Sequence, residues 1–326
     1  MVIFSLKKIG VDLDLDISKD ETDLIEKNLP VELIDGSIVD IRRQKRCILE
    51  FKNRTIIGGY GILQELYRID EKARVSCYVK YSKEKSLNIL NEALLQYISY
   101  TTLKKYKIQY MISKVYDIYK RNDTIFFTME KIDGVSVLQY ILDSDTPERV
   151  FIDTLVQLCI VLLILKKEIY LDHRDLRYTN LFIVKEKRDI HLEFYSKSEK
   201  KEYRLSTPFH ICLLDFGFAC IGKQETVINA SEDIFQKKEI CLKPGRDMFQ
   251  IIASLFCLKE FRNKLDPNFL KIVETWFIYN DTDYSNLAKS SSEWTYILTS
   301  EESFNSPFFV PENFLNYLYG LKKEYV

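Results

Sequence analysis

The chain has little glycine and little proline for its length. Only 10 glycines and 7 prolines occur among its 326 residues, which is well below the usual share of both. Collagen-like and linker-rich architectures are therefore excluded, because each needs these residues in large numbers. A cluster of glycines in such a chain is informative, since tight turns and close backbone approaches require them.

Pairing signals among the cysteines and long apolar runs are also missing. The seven cysteines are odd in number and none is spaced C-x-x-C, so the sequence favours neither a disulfide framework nor a zinc site. The longest apolar run is eight residues, 158–165, whereas a bilayer span needs about 20. We therefore expect reduced thiols in a cytoplasmic or nuclear protein without a membrane span.

The chain has no surplus of charge. Its 47 basic and 48 acidic residues give a net charge of -1, so we expect no general binding of nucleic acid. Hydrophobic residues make up 46% of the chain. That share is typical of a globular protein and argues against wholesale disorder, which needs few apolar residues and a large net charge.

The first 50 residues differ in composition from the rest. An acidic stretch between residues 12 and 26 is followed by a basic one at residues 42–46. Charge runs of this kind are most often solvated surface. We therefore predict an N-terminal extension over residues 1–50 and place the main domain at residues 51–326.

Residues 51–130 have mostly strand patterns. Residues 75–80 alternate with period two, which puts Lys80 on the face opposite Cys77 and Val79. Beyond this region the chain is predicted to be mainly helical, with a helix at 148–169 that is apolar nearly all round and therefore buried. The first region is predicted to contain one helix at 86–99 and five strands at 55–57, 62–69, 75–80, 112–119 and 124–129.

Two short motifs occur in the second half of the chain. The first is His-Arg-Asp-Leu-x-x-x-Asn at residues 173–180, and the second is Asp-Phe-Gly at residues 215–217. Together and in this order they resemble the signature of the eukaryotic-like protein kinase superfamily. The resemblance covers about residues 51–265. It implies an α+β, bilobal protein-kinase fold, with a small five-stranded β lobe that has one helix and a larger, mainly helical lobe.

The resemblance implies roles for four polar residues in these motifs. Asp175 would orient the acceptor hydroxyl and accept its proton, and Arg177 would contact the γ-phosphate of ATP. Asn180 and Asp215 would hold Mg²⁺, which prefers hard oxygen ligands. ATP and Mg²⁺ are therefore the expected cofactors.

Five further residues are assigned to the nucleotide side of the site. Gly59 and Gly61 stand where the family has its glycine-rich loop over the phosphates, and Leu66 lies on the strand that follows. Lys80 ends a strand as the family's phosphate-binding lysine does. Glu92 is assigned as its helix partner, although it follows only 12 residues later and lies off the apolar stripe of the helix, so a solvated glutamate is the alternative.

The resemblance also divides the main domain. Residues 51–130 would be the N-lobe, 131–134 the hinge and 135–326 the C-lobe. At the hinge, Met129 would lie behind the adenine, and backbone groups of Glu130 and Ile132 would bind it.

Two features depart from the family pattern. Residues 186–210 have the appearance of an inserted hairpin or loop, and no Ala-Pro-Glu follows the Asp-Phe-Gly motif. Asp247 opens a helical run and is similar to the family's buried aspartate beneath the catalytic loop. These departures resemble divergent members, either haspin-like or from large viruses.

The function expected from these residues is ATP-dependent phosphoryl transfer to a hydroxyl of a protein substrate, and we favour Ser/Thr. A small-molecule kinase on the same fold is one alternative, which the missing Ala-Pro-Glu supports. A pseudokinase scaffold is the other, and the presence of Lys80, Asp175, Asn180 and Asp215 opposes it.

Overall fold

The structure is a computed structural model, and it describes residues 3–19, 21–58, 61–82, 88–196, 200–223, 227–231, 240–279, 282–291, 293–301 and 304–325. The chain divides into two compact units. Unit 1 consists of Met1–Ile132, Ile169–Leu171 and Asp215–Cys241, and unit 2 of Asp133–Glu168, Asp172–Leu214 and Leu242–Val326.

The strands and helices alternate irregularly along the chain. Up to residue 130 they are β1 (Ile3–Ser5), β2 (Asp14–Asp16), α1 (Thr22–Lys27), β3 (Val31–Glu32), β4 (Ser37–Val39), β5 (Lys45–Ile57), β6 (Gly61–Ile69), β7 (Arg74–Ser82), α2 (Ile89–Lys104), β8 (Val115–Arg121) and β9 (Thr124–Glu130). From there to residue 229 they are β10 (Val135–Ser136), α3 (Val137–Leu142), α4 (Pro147–Ile169), β11 (Leu171–Asp172), β12 (Leu181–Ser196), β13 (Lys201–Leu213), β14 (Cys220–Ile221) and β15 (Ile228–Asn229). The last elements are α5 (Arg246–Phe256), α6 (Lys259–Lys264), α7 (Pro267–Thr275), β16 (Ile278–Tyr279), β17 (Thr282–Asp283), α8 (Ser285–Ser290), α9 (Glu293–Ser300) and α10 (Pro311–Tyr325).

A closed β-barrel forms the centre of unit 1. Seven strands follow one another around it in the order β3-β4-β5-β6-β7-β9-β8. All neighbours are antiparallel except β3 and β8, which are parallel and close the barrel where Val31 pairs with Lys120. Closure leaves no unpaired strand edge in this sheet. Residues 31–50, from the segment assigned to the N-terminal extension, supply β3, β4 and the start of β5.

The structure corrects the predicted fold class and the kinase resemblance that led to it. Instead of a five-stranded lobe with one helix, unit 1 has a closed seven-stranded mixed barrel. Unit 2, which was predicted to be mainly helical, contains the long antiparallel hairpin of β12 and β13. The described residues contain ten α-helices. The chain is thus a strand-rich α+β protein, and the bilobal kinase fold is the wrong description of it.

The alternation that the sequence predicts on β7 orients Lys80. Cys77 and Val79 are fully buried in the barrel core, where they pack with Leu66 and Tyr119. Lys80 follows on the opposite face of the pleated strand. One face of β7 therefore packs into the barrel interior, and Lys80 lies on the other face.

Unit 2 is organised around α4 and α5. α4 is buried along most of its length, as its apolar composition predicts. α5 is buried throughout, and its Phe249 ring contacts the rings of Phe277, Trp294, Phe304 and Phe309. Residues 186–210, the predicted insert, belong to the β12–β13 hairpin. Within the described residues, no helix has the length and apolarity that a membrane crossing requires.

The expectation that all seven cysteines are reduced is wrong for two of them, which form a disulfide. Cys220 and Cys241 are bonded to each other, while the remaining cysteines are reduced thiols, namely Cys47, Cys77, Cys159, Cys212 and Cys257. The two partners are 21 residues apart, and no short spacing motif marks such a pair in a sequence.

Candidate functional site

Three charged side chains of unit 1 meet around one ammonium group. The Lys80 Nζ donates to Glu92 Oε1 at 2.6 Å and to Asp215 Oδ1 at 2.9 Å. Lys80 and Glu92 are buried, whereas the Asp215 side chain is 43% exposed. The sequence assigns Lys80 to phosphate binding, Asp215 to metal binding and Glu92 to pairing with Lys80, and the structure brings the three side chains together.

Glu92 lies off the apolar stripe of α2 and is nevertheless buried. α2 is buried on nearly all of its sides, so a polar residue away from the stripe is still not solvated. Asn88 caps the helix by accepting a hydrogen bond from Asn91 N–H at 3.0 Å, and Asn91 in turn donates to Asn229 O at 2.8 Å. These two bonds fix the first turn, on which Glu92 lies.

The backbone around Asp215 is strained and closely packed. Asp215 has a φ of +59°, a left-handed conformation that costs a non-glycine residue on the order of 1–3 kcal/mol and is typical of functional sites. Gly217 N–H donates back to Asp215 Oδ1 at 3.2 Å. A Cβ on Gly217 would lie 3.1 Å from that same oxygen, so glycine permits the close approach.

Burial and the neighbouring charges set the protonation of Glu92 and Lys80. Burial raises the pKa of Glu92 to about 7, and the positive charge of Lys80 opposes that shift only in part. Burial would lower the pKa of Lys80, but the charges of Asp215 and Glu92 outweigh it and raise that pKa. Lys80 is therefore a permanent cation, while Glu92 is the member that titrates near neutral pH.

The raised pKa of Glu92 makes folding stability depend on pH. Between its ordinary value of 4.5 and about 7, the folded state binds a proton that the unfolded state has lost. Its contribution to stability is therefore complete below pH 4.5 and is lost as the pH rises through 7. We expect the free energy of unfolding of the wild type to fall relative to Glu92→Gln over this range. Urea unfolding of both proteins at several pH values measures this, and parallel profiles would contradict it.

A second group of polar side chains surrounds Asp175 in unit 2. Asp175 Oδ2 accepts from Asn180 Nδ2 at 3.0 Å and from Arg177 Nη2 at 3.2 Å. Asn180 Nδ2 also donates to Asp175 O at 2.9 Å, and Tyr296 OH donates to Asp175 Oδ1. The carboxylate is therefore held in one orientation on a loop that would otherwise be free to turn.

α5 supports this loop along one of its faces. Asp247, Gln250 and Ser254 are spaced three and four residues apart, so they lie on the same side of the helix. Asp247 accepts from the backbone N–H groups of His173 and Arg174, both at 2.9 Å. Gln250 Oε1 accepts from Leu176 N–H at 3.4 Å and Ser254 Oγ from Tyr178 N–H at 3.0 Å. Side chains of α5 therefore provide hydrogen-bond acceptors for backbone N–H groups of residues 173–178.

Removing one of these supports should cost a measurable part of the stability. Ser254→Ala leaves the partly buried N–H of Tyr178 without its acceptor, so we expect a loss of about 1–2 kcal/mol in the free energy of unfolding. Ser290→Ala is the matched control. Each of the two serines donates to the carbonyl three residues earlier, at 2.8 and 2.7 Å, but Ser290 is exposed.

Denaturant unfolding of the two variants beside the wild type gives both values. We expect Ser290→Ala to stay within about 0.5 kcal/mol of the wild type. Equal losses in both variants would show that the bond to Tyr178 does not stabilise the loop.

The structure places the other assigned residues as follows. Gly59 lies outside the described residues. Gly61 begins β6, where a Cβ would lie 3.1 Å from Lys80 Cε. Leu66 is fully buried in the barrel core. Its contact with a nucleotide, like that of the glycines, stays a prediction.

The residues assigned to the hinge lie at the end of β9 and just after it. Met129 and Glu130 are the last residues of β9, and Ile132 is half-buried two residues later. Glu130 N–H donates to Lys114 O at 2.8 Å, and Glu130 O accepts from Ser113 Oγ at 2.9 Å. The N–H of Glu130 is therefore engaged, whereas a carbonyl oxygen can accept a second bond.

Three residues that contact the loop around Asp175 were not identified from the sequence. Gln250 and Ser254 support the loop from more than 70 residues further along the chain, and Tyr296 contacts Asp175 from 121 residues away. Ordinary polar residues at such separations leave no local pattern. A helical polar face on α5 was the one available signal.

No family model matches the chain, and neither does any curated protein. The resemblance to the protein kinase superfamily is therefore without support from a family comparison, in addition to the difference in fold. In the described part of the chain, no group of three or more His, Cys, Asp or Glu side chains forms a metal site. Conclusions about function consequently depend on the geometry of the two polar groups.

Proposed function

We propose that the protein transfers the γ-phosphoryl group of ATP to a hydroxyl group of a protein substrate, with serine or threonine favoured. The observation on which this proposal depends is the buried Lys80 bonded to both Glu92 and Asp215. A fixed cation of this kind neutralises phosphate oxygens without having to reorganise when they bind. The glutamate holds the lysine, and the more exposed Asp215 faces the solvent from which a nucleotide would arrive.

The acceptor side of the reaction is assigned to Asp175. Its carboxylate is oriented by Asn180 and Arg177, and an oriented carboxylate can position a hydroxyl group and take its proton. Asn180 O also accepts from Leu214 N–H at 2.9 Å. Because Leu214 directly precedes Asp215, this bond anchors the chain at the start of the strained segment.

The donor set suits magnesium better than a transition metal. Asp215 supplies an exposed carboxylate in unit 1, and hard oxygen ligands with several waters are what Mg²⁺ prefers. We propose Asp215 as a ligand of Mg²⁺, and Asn180, whose side chain carries an amide oxygen, stays a sequence-based prediction for a second ligand. When bound, Mg²⁺ supplies positive charge to the phosphate oxygens.

The proposed substrate is a protein of the cytoplasm or nucleus. Five of the seven cysteines are thiols, four of them buried, and the single disulfide between Cys220 and Cys241 is far fewer than a secreted disulfide framework contains.

The experiment that tests the function is an ATP consumption assay with a mixed peptide library, with and without magnesium. We expect consumption that needs both magnesium and peptide. Consumption that is independent of peptide would favour a small-molecule acceptor, and nucleotide binding without consumption would favour a partner-binding scaffold. Neither binding nor consumption would remove the proposal.

A further inference from the structure

The carboxylate assigned to the acceptor hydroxyl already binds a hydroxyl group of this chain. Tyr296 OH donates to Asp175 Oδ1, while the other oxygen, Oδ2, accepts from Asn180 and Arg177. Asp175 is only 3% exposed. An external hydroxyl that is to reach Oδ1 therefore meets the phenol of Tyr296 there.

Tyr296 is presented by a helix that is anchored at both ends. Near its start, the Trp294 ring stacks on Tyr284 with centroids 5.5 Å apart and meets Phe249 edge-on at 5.6 Å. Near its end, Lys243 Nζ donates to Thr299 O at 3.2 Å and to Ser300 O at 2.7 Å. A buried cation at the carbonyl end of a helix stabilises it. α9 therefore holds the phenol in place.

The phenol acts as a donor at every pH of interest. Burial raises the pKa of Tyr296 well above its ordinary value, and the negative charge of Asp175 raises it further. A neutral phenol that donates to Asp175 makes the same kind of bond that a serine, threonine or tyrosine substrate would make before its proton is transferred.

We propose that Tyr296 is an internal competitor for the acceptor-hydroxyl position at Asp175, so that a protein substrate must displace it in order to bind. This inference rests on the proposed function, because it takes Asp175 as the residue that receives the acceptor. Displacement exchanges one charge-assisted hydrogen bond for another, and its cost appears in substrate binding. Substrate affinity is thus set partly by a residue of α9.

Tyr296→Phe tests the competition, because it removes the hydroxyl group and keeps the ring. We expect the KM for an acceptor peptide to fall roughly tenfold, since a hydrogen bond to a charged group is lost from the competing state, with kcat unchanged or higher. The affinity for a fluorescently labelled peptide, measured without ATP, should rise by a similar factor. Tyr284→Phe is the matched control, since its ring packs on α9 without touching Asp175, and we expect no change in it.

Other outcomes overturn the inference. A lower kcat at unchanged KM would make Tyr296 a residue that positions Asp175, and equal behaviour of Tyr296→Phe and wild type would leave it without a role in substrate binding. Tyr296→Ala is a second test, because it removes the ring as well as the hydroxyl group. If this variant folds and binds the labelled peptide more weakly than the wild type does, the competition is likewise refuted.

Failure of the proposed function has a different signature. If the wild type and both Tyr296 variants bind no fluorescent ATP analogue and transfer no phosphate, the proposed function falls and this inference falls with it. If nucleotide binding and transfer are normal but the Tyr296 variants show no fall in KM, only the competition is refuted.

Discussion

Asp175→Asn should abolish phosphoryl transfer while leaving the fold and the binding of ATP nearly intact. The substitution keeps the volume of the side chain and an oxygen that can accept from Asn180. It removes the negative charge that would take the proton of the acceptor hydroxyl. Loss of this role should lower kcat on the order of 10²-fold or more. The backbone bonds from residues 173–178 to α5 do not involve this carboxylate, so stability should be retained.

The matched control for this variant is Asp189→Asn, in the same unit. Asp189 is exposed on β12, and its carboxylate accepts from Ser206 Oγ at 3.2 Å, so the same change of charge is made away from the site. We expect wild-type turnover in the control. Thermal unfolding and titration with a fluorescent ATP analogue should show both variants folded and able to bind nucleotide. Near-normal turnover in Asp175→Asn would remove Asp175 from the mechanism.

Asp215→Ala should fail in a different way, through loss of magnesium-dependent nucleotide binding together with turnover. The substitution removes the exposed carboxylate that accepts from Lys80. The bond from Lys80 to Glu92, which is 2.6 Å long in the wild type, should remain. Because Mg²⁺ lacks this oxygen ligand in the variant, we expect the increase in nucleotide affinity on adding magnesium to be about tenfold smaller than in the wild type. Turnover should fall on the order of 10²-fold, as when a charge-stabilising group is lost.

Titrating a fluorescent ATP analogue with and without magnesium separates this outcome from simple misfolding. Asp23→Ala is the control in unit 1, because Asp23 is an exposed carboxylate on α1 that belongs to neither polar group. It should show the magnesium effect of the wild type. If Asp215→Ala shows that effect too, Asp215 is not a metal ligand.

Local patterns predicted the individual elements better than their assembly. The alternation over residues 75–80 corresponds to β7, and the apolar run at 148–169 corresponds to α4 (Pro147–Ile169). Both depend on the hydrophobic pattern of one segment, which the sequence shows directly. The barrel could not be predicted this way, because β3 and β4 are two and three residues long, too short for alternation to be visible.

The candidate site was predictable to the extent that its residues belong to motifs. Lys80, Asp175, Asn180 and Asp215 were identified from short motifs, and the structure places them in the two polar groups. The helical-stripe argument failed for Glu92, because a helix that is buried nearly all round has no solvated face. Tyr296 lies in a region that matches no motif, and only the folded chain brings it to Asp175.

The most direct test of the proposed function is the transfer of labelled γ-phosphate from ATP to a mixed Ser, Thr and Tyr peptide library, with wild type and Asp175→Asn measured side by side in magnesium. We expect labelled peptide from the wild type, at least about 10²-fold less from the variant, and none from either protein without magnesium. A folded wild type that binds the ATP analogue and labels no peptide, or equal labelling by the two proteins, would contradict phosphoryl transfer at Asp175.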